Sequence, residues 1–215
     1  MYQNLTTLDG IDLNGVTELD CGNNHLTTLP PLPNTLKLLN CNFNCLSSLP
    51  PLPETLIELN CNSNCLSSLP PLPHSLEILK CGNNKLILLP PLPNSLKKFE
   101  CHGNQLTSLP TLPESLISLS CEINQLTLLP HLPDSLKRLR CWCNELTSFP
   151  DLPWGLETMK GEKLDQHNKK RIDLQMDVVE TLPDKGTWDE INESHINWLY
   201  RIGGEKYNEA IKLMH

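Results

Sequence analysis

Residues 56 to 75 read LIELNCNSNCLSSLPPLPHS, and the same phrase recurs along most of the chain without losing register. Seven cysteines stand twenty residues apart: Cys21, Cys41, Cys61, Cys81, Cys101, Cys121 and Cys141. Three residues after each comes an asparagine (Asn24, Asn44, Asn64, Asn84, Asn104, Asn124 and Asn144). A leucine follows two further on, from Leu26 to Leu146, then an apolar residue and a proline. The unit is L-x-x-L-x-C-x-x-N-x-L-x-x-L-P-x-L-P-x-S. Self-similarity of this strictness over about 140 residues marks a solenoid of stacked coils, each burying its apolar face against its neighbours.

The chemistry of one unit predicts its path. Around Leu39 and Cys41 the apolar positions alternate at period two, so both point into the core from a short strand. Strands from successive coils stack in parallel about 4.8 Å apart, which makes eight coils about 35–40 Å long. The asparagine turns the chain, and its amide can bond backbone groups of its own and the adjacent coil, forming a buried ladder. The run Leu49-Pro50-Pro51-Leu52-Pro53 cannot be helix, because proline lacks an N–H and pushes its predecessor to extended angles. The convex side is therefore expected to be polyproline-like, with Leu49 and Leu52 turned inward.

This register explains an unusual composition. The chain has 215 residues, 44 of them leucine, 19 proline and one alanine (Ala210). That excludes a helical bundle, since proline breaks helix interiors and alanine is the best helix former. A net charge of −8 leaves no broad basic field for gripping nucleic acid, and no stretch approaches the length of apolar sequence needed to span a bilayer. The first fifteen residues have neither a basic leader nor an apolar core, so the chain is expected to be intracellular, in the cytoplasm, with reduced thiols.

The repeat resembles the leucine-rich repeat family, with cysteine replacing leucine at the sixth position. Its twenty-residue length and L-P-x-L-P segment are similar to the short repeats of bacterial effector proteins, and to leucine-rich repeat proteins of the giant viruses of amoebae. The resemblance spans roughly residues 16 to 160. It implies an α/β solenoid shaped as a horseshoe, with a parallel β-sheet on the concave side and an extended convex side. It also implies a binding scaffold in place of a catalytic one, with a host protein as ligand and the host cytoplasm as location. In several such effectors the repeats deliver substrates to a ubiquitin-ligase domain with a catalytic cysteine. No cysteine follows Cys143 here, so that domain is not expected in this chain, and the adaptor reading requires a separate ligase.

Three cysteines lie off the main column: Cys45, Cys65 and Cys143. Cys41-x3-Cys45 and Cys61-x3-Cys65 look like halves of a zinc site, yet position six points inward and position ten outward, so the thiols of each pair diverge. His25, Cys45 and Cys65 share one outward column where a soft metal could sit. The column cysteines are read instead as small buried hydrophobes suited to a tight coil. No metal and no cofactor is expected.

The positions flanking the inward ones line the concave face, and there the sequence varies from coil to coil. The candidate contact residues are Asn40, Phe43, Lys80, Lys98, His102, Ile123, Arg138, Arg140 and Trp142. Variation on one face of a constant scaffold is the pattern of a binding surface. Early coils carry Glu18, Asp20 and Glu58, later ones Lys80, Lys98, Arg138 and Arg140, so charge runs from acidic to basic along the face. Trp142 beside the two arginines is an interface anchor or part of the seal beneath the C-terminal segment.

Both ends depart from the unit. Leu5 to Leu13 reads as a shortened first coil, open to weak homodimerisation through that end; otherwise the chain is expected to be a monomer. After Glu162 the period changes: Ile172, Met176 and Val179 are helix-spaced, as are Trp188, Ile191, His195, Trp198 and Ile202. Thr187-x-x-Glu190 forms a capping box and Gly203-Gly204 a stop. Two regions follow: a solenoid over residues 1–164 and a helical cap over residues 165–215. The histidines are scattered over different faces, with no triad, phosphate loop or metal motif. The expected function is that of a non-enzymatic protein-interaction module with a protein ligand on its concave face, and neither nucleic acid nor membrane as partner.

Overall fold

The computed structural model describes residues 4–160 apart from 154 and 157; the expected helical cap at 165–215 lies outside the described residues. Eight three-residue strands follow one another at twenty-residue intervals: β1 (Glu18–Asp20), β2 (Leu38–Asn40), β3 (Glu58–Asn60), β4 (Ile78–Lys80), β5 (Lys98–Glu100), β6 (Ser118–Ser120), β7 (Arg138–Arg140) and β8 (Thr158–Lys160). They form one parallel sheet in strict sequence order, β1 to β8. Each central residue pairs with its equivalent one coil on, as Leu39 with Leu59, Leu79 with Phe99 and Leu139 with Met159. Coils 1 to 8 are named here by the strand each carries.

In coils 2 to 7, the apolar residue at the strand centre, the leucine three residues before it and the cysteine two after it are all buried. Leu36, Leu56, Leu76, Leu96, Leu116 and Leu136 have no exposed surface. The cysteine column Cys41, Cys61, Cys81, Cys101 and Cys121 is equally sealed, with Cys21 and Cys141 nearly so. Phe99 takes the strand-centre place in coil 5 and is also fully buried. All these belong to one continuous core. Each coil is one thin turn of chain, with its strand on one side and its extended Pro-rich segment on the other, so there is no second layer to hide behind. Burial depends on the next coil in the stack.

The chain leaves each of β1 to β7 through a residue in the left-handed region, one position before the asparagine. Asn23 (φ 56°), Phe43 (φ 49°), Ser63 (φ 55°), Asn83 (φ 53°), Gly103 (φ 63°), Ile123 (φ 56°) and Cys143 (φ 51°) occupy that place. The asparagine that follows stabilises the turn from inside. Asn64 Nδ2 donates to the carbonyls of Cys41 (3.0 Å), Cys61 (3.2 Å) and Asn62 (3.2 Å), while its Oδ1 accepts from the Leu46 amide at 3.0 Å. Asn44, Asn84, Asn104, Asn124 and Asn144 repeat this four-bond pattern across the coil boundary.

The convex side is extended, with no helix among the described residues. Leu49 and Leu52 are half-buried and pack against the core, as expected of inward-turned residues between prolines. A second ladder runs here, built from the last residue of each unit. Ser75 Oγ donates to the carbonyls of Glu54 (2.6 Å) and Leu56 (2.7 Å), and Thr55, Ser95 and Ser115 do likewise one coil away. The prolines cannot donate, so these hydroxyls tie together the wall that prolines leave without N–H groups.

Candidate functional site

Alternation at period two sends residues one before and one after each strand centre onto the open face of the sheet, and the left-handed residue onto its rim. All nine candidate contact residues lie on this face or rim. They differ sharply in how far the protein has already committed them.

Lys80 and Lys98 are held internally. Lys80 Nζ lies 2.7 Å from Glu58 Oε1 on the adjacent strand β3, and Lys98 Nζ lies 2.7 Å from Glu100 Oε1. The acid-to-base gradient read from the sequence is therefore neutralised in its middle. It survives at the ends, where Glu18 and Asp20 are exposed in coil 1 and Arg138 and Arg140 are exposed in coil 7. Asp20 accepts from the Gly22 amide and from Asn40 Nδ2, both at 3.0 Å, which keeps its charge but fixes its direction. Asn40 is thereby a strut of the sheet surface, and its Oδ1 also accepts from the Asn42 amide at 3.3 Å.

His102 is half-buried. Its ring lies over Gly82 of the preceding coil, where any Cβ would collide with it, and its Nε2 is 3.4 Å from Asn83 Nδ2. Its Nδ1 is buried with no partner among the described residues, as is Asn42 Oδ1. Glu122 is buried one coil further on, accepting from Ser120 Oγ at 2.6 Å. Neither residue is among the candidate contact residues, although a carboxylate two residues from a serine on one strand face is a visible signal. Together these residues make the middle of the face a fitted polar surface.

Phe43 and Ile123 are 57% and 46% exposed. Each stands in the left-handed region, which is unfavourable for bulky and especially for β-branched residues. Other coils place Asn23, Ser63, Asn83 or Gly103 there, residues that tolerate the conformation. No core packing of the two apolar side chains offsets this strain, since they face outward. Trp142 is half-buried in coil 7 beside Arg138 and Arg140, and its carbonyl accepts from the Ile123 amide at 2.9 Å.

The thiols divide as the spacing predicts. Column cysteines are buried, whereas Cys45, Cys65 and Cys143 are exposed. Desolvation, with the Asp20 carboxylate nearby, raises the Cys21 thiol to about 11; burial, helped by Glu122, raises Cys141 to about 12. Burial also raises the five between them well above the ordinary thiol value. Cys121 Sγ donates to the Arg140 carbonyl at 3.4 Å, as a protonated thiol would. Among the described residues, no three His, Cys, Asp or Glu side chains gather into a group able to hold a metal ion, so His25, Cys45 and Cys65 do not form the soft-metal site their column allowed. No helix among the described residues is long and apolar enough to cross a membrane.

Solved structures similar to this chain include bacterial effectors. YopM from Yersinia enterocolitica WA-314 is 36% identical over 74% of this chain, with a TM-score of 0.57. YopM from Yersinia pestis, a leucine-rich effector protein, is 33% identical over 67% of the chain, again with a TM-score of 0.57. The leucine-rich repeat domain of a Shigella effector is 36% identical over 62% of this chain and 71% of its own, with a TM-score of 0.54. The chain spans 39% and 47% of the two YopM chains. No family model and no curated protein sequence matches the chain.

Proposed function

The chain belongs to the leucine-rich repeat proteins, and on that premise we propose that it is a protein-recognition module whose concave sheet face binds a protein ligand. The observation that carries this is the contrast between columns. Inward positions are leucine, cysteine and asparagine in coil after coil, while the positions beside them change from Glu18 to Leu38 to Ile78 to Arg138. A scaffold that needed only to fold would have no reason to keep Phe43 and Ile123 in strained, exposed places.

Arg138, Arg140 and Trp142 form the principal contact in this reading. Tryptophan and arginine dominate interface energies, and two cationic side chains on one strand suit an acidic patch on the ligand. The similarity to Yersinia and Shigella effectors supports taking that ligand to be a protein of a host cell, met in its cytoplasm. Recognition of this kind needs no catalytic group in the chain. Binding alone also accounts for the face without a separate ligase as recipient.

Capture of host proteins by the full chain, compared with R138A/R140A and with W142A, tests the proposal. A ligand recovered by the parent chain and weakened at least about tenfold by each variant is expected. A ligand retained equally by all three places the binding surface elsewhere on the solenoid.

A further inference from the structure

Once internally paired residues are set aside, what remains on the concave face has a symmetry. Uncompensated acid stands in coil 1 (Glu18, Asp20) and uncompensated base in coil 7 (Arg138, Arg140). The strained apolar residues stand in coil 2 (Phe43) and coil 6 (Ile123). Each pair is equidistant from coil 4. The acid and base lie six strand steps apart, or about 29 Å, and the apolar pair four steps apart, or about 19 Å. Each member of a pair also occupies the same column as its counterpart: Glu18 with Arg138, Asp20 with Arg140, Phe43 with Ile123.

We propose that the concave face pairs with the concave face of a second copy of this chain, about a two-fold axis running along strand β4. An axis parallel to the strands reverses the order of coils while keeping strand direction and column. It therefore sets coil 1 against coil 7 and coil 2 against coil 6, each column facing itself. Such an interface is isologous, so every contact is made twice. Glu18 and Asp20 of one copy meet Arg138 and Arg140 of the other at both ends. Phe43 and Ile123 cover one another at two places on the rim, which removes from water the apolar surface that single chains expose. The alternative two-fold, along the stack, would set each coil against itself and bring acid to acid and base to base; like-charge contacts of that sort are strongly disfavoured.

The middle of the face is compatible with the same operator. Coil 4, on the axis, carries the apolar Ile78 and a Lys80 whose charge is already matched by Glu58 at 2.7 Å, so no unpaired like charges are brought together there. On a concave face the contacts fall toward the two ends, where the charged and the strained apolar residues stand.

This rests on the concave face being a binding surface, and it names one occupant of it. A second copy and a foreign ligand would compete for the same residues.

The test is charge exchange, read by sedimentation velocity of the full chain from about 1 to 100 µM, a range spanning ordinary self-association. The parent chain is expected to form a dimer that weakens as salt is added. E18R/D20R and R138E/R140E should each weaken association by at least about tenfold, since each places like charge against like at both ends. An equimolar mixture of the two variants should associate as strongly as the parent, because only their heterodimer restores opposite charge at both ends. The single chain carrying all four exchanges should dimerise again for the same reason. Circular dichroism matching the parent confirms that each variant is folded. A parent chain that stays monomeric overturns the proposal, as does a dimer that either variant leaves intact or that the mixture fails to restore. A chain that is monomeric throughout, yet captures a host ligand that R138A/R140A loses, overturns self-pairing and leaves recognition of a foreign protein standing.

Discussion

At the scale of single residues, the informative positions are those where the protein departs from its own rule. The left-handed rim position takes asparagine, serine or glycine in coils 1, 3, 4 and 5, where the conformation is tolerated. Ile123 violates that rule, and a β-branched residue in this region stores about 1 kcal/mol or more of strain. Ile123→Asn is therefore expected to raise stability by about 1 kcal/mol, seen as a higher urea midpoint at unchanged slope. The same substitution should weaken whatever the face binds. A gain in stability with a loss of binding separates a residue kept for contact from one kept for folding; no gain would mean that the backbone relaxes around isoleucine at no cost. The two lysines make the opposite point. Their sequence positions advertise exposed positive charge, but Lys80 finds Glu58 twenty-two residues away and Lys98 finds Glu100 two residues away. Which carboxylate a flexible ammonium reaches is decided by side-chain rotamers across strands, and no spacing rule in one dimension contains that.

At the scale of the element, each turn is specified by one asparagine. Asn84 Nδ2 bonds the carbonyls of Cys61, Cys81 and Gly82, and its Oδ1 receives the Leu66 amide at 3.0 Å. Asn84→Ala would leave the Leu66 amide unsatisfied at a coil boundary, at about 1–3 kcal/mol for a buried group left without a partner, and would take from the Cys61 carbonyl one of its two donors, the other being Asn64 Nδ2. Asn24 is the first rung and makes its donor bonds only within its own coil, to Cys21 and Gly22. Asn24→Ala should accordingly be the milder change, and chemical denaturation of the two variants side by side checks the order. Asn24 keeps one inter-coil bond, accepting from the Leu5 amide at 3.0 Å, so equal losses would mean that the added bond from Asn84 Nδ2 to the Cys61 carbonyl contributes nothing net. This ladder was legible because asparagine is constant at a turn inside an apolar repeat, where its only suitable partners are backbone groups. The hydroxyl ladder of Thr55, Ser75, Ser95 and Ser115 carried the same constancy in the sequence. It escaped notice because serine beside a Pro-rich run reads equally well as a solvated turn residue.

At the scale of the whole molecule, the column of cysteines couples the fold to pH. A thiol buried between two others cannot ionise without bringing charge into the core, so folding holds it protonated above its ordinary value of 9.0. The sign follows from that raised value: the unfolded chain releases these protons above pH 9, the folded chain does not. The thiols therefore contribute their full stabilisation below pH 9 and lose it as pH climbs toward the folded values, about 11 at Cys21 and about 12 at Cys141. For the six sealed thiols, Cys41 to Cys141, the direction is the same at every site, so their effects accumulate as pH rises above 9. The solenoid is therefore expected to unfold cooperatively above pH 9, before the sealed thiols ionise in place. Because coils stabilise only their neighbours, deprotonation anywhere in the column opens the stack on both sides of it. Far-ultraviolet circular dichroism across pH 8 to 12, with the proton count taken from the slope of the unfolding equilibrium against pH, measures this. Several protons should be released in one transition. Cys61→Ala should reduce that count by one while lowering stability at neutral pH through the cavity it leaves. A transition that releases one proton or none would show that the column ionises in place, and that the cysteines are merely small residues in a narrow coil.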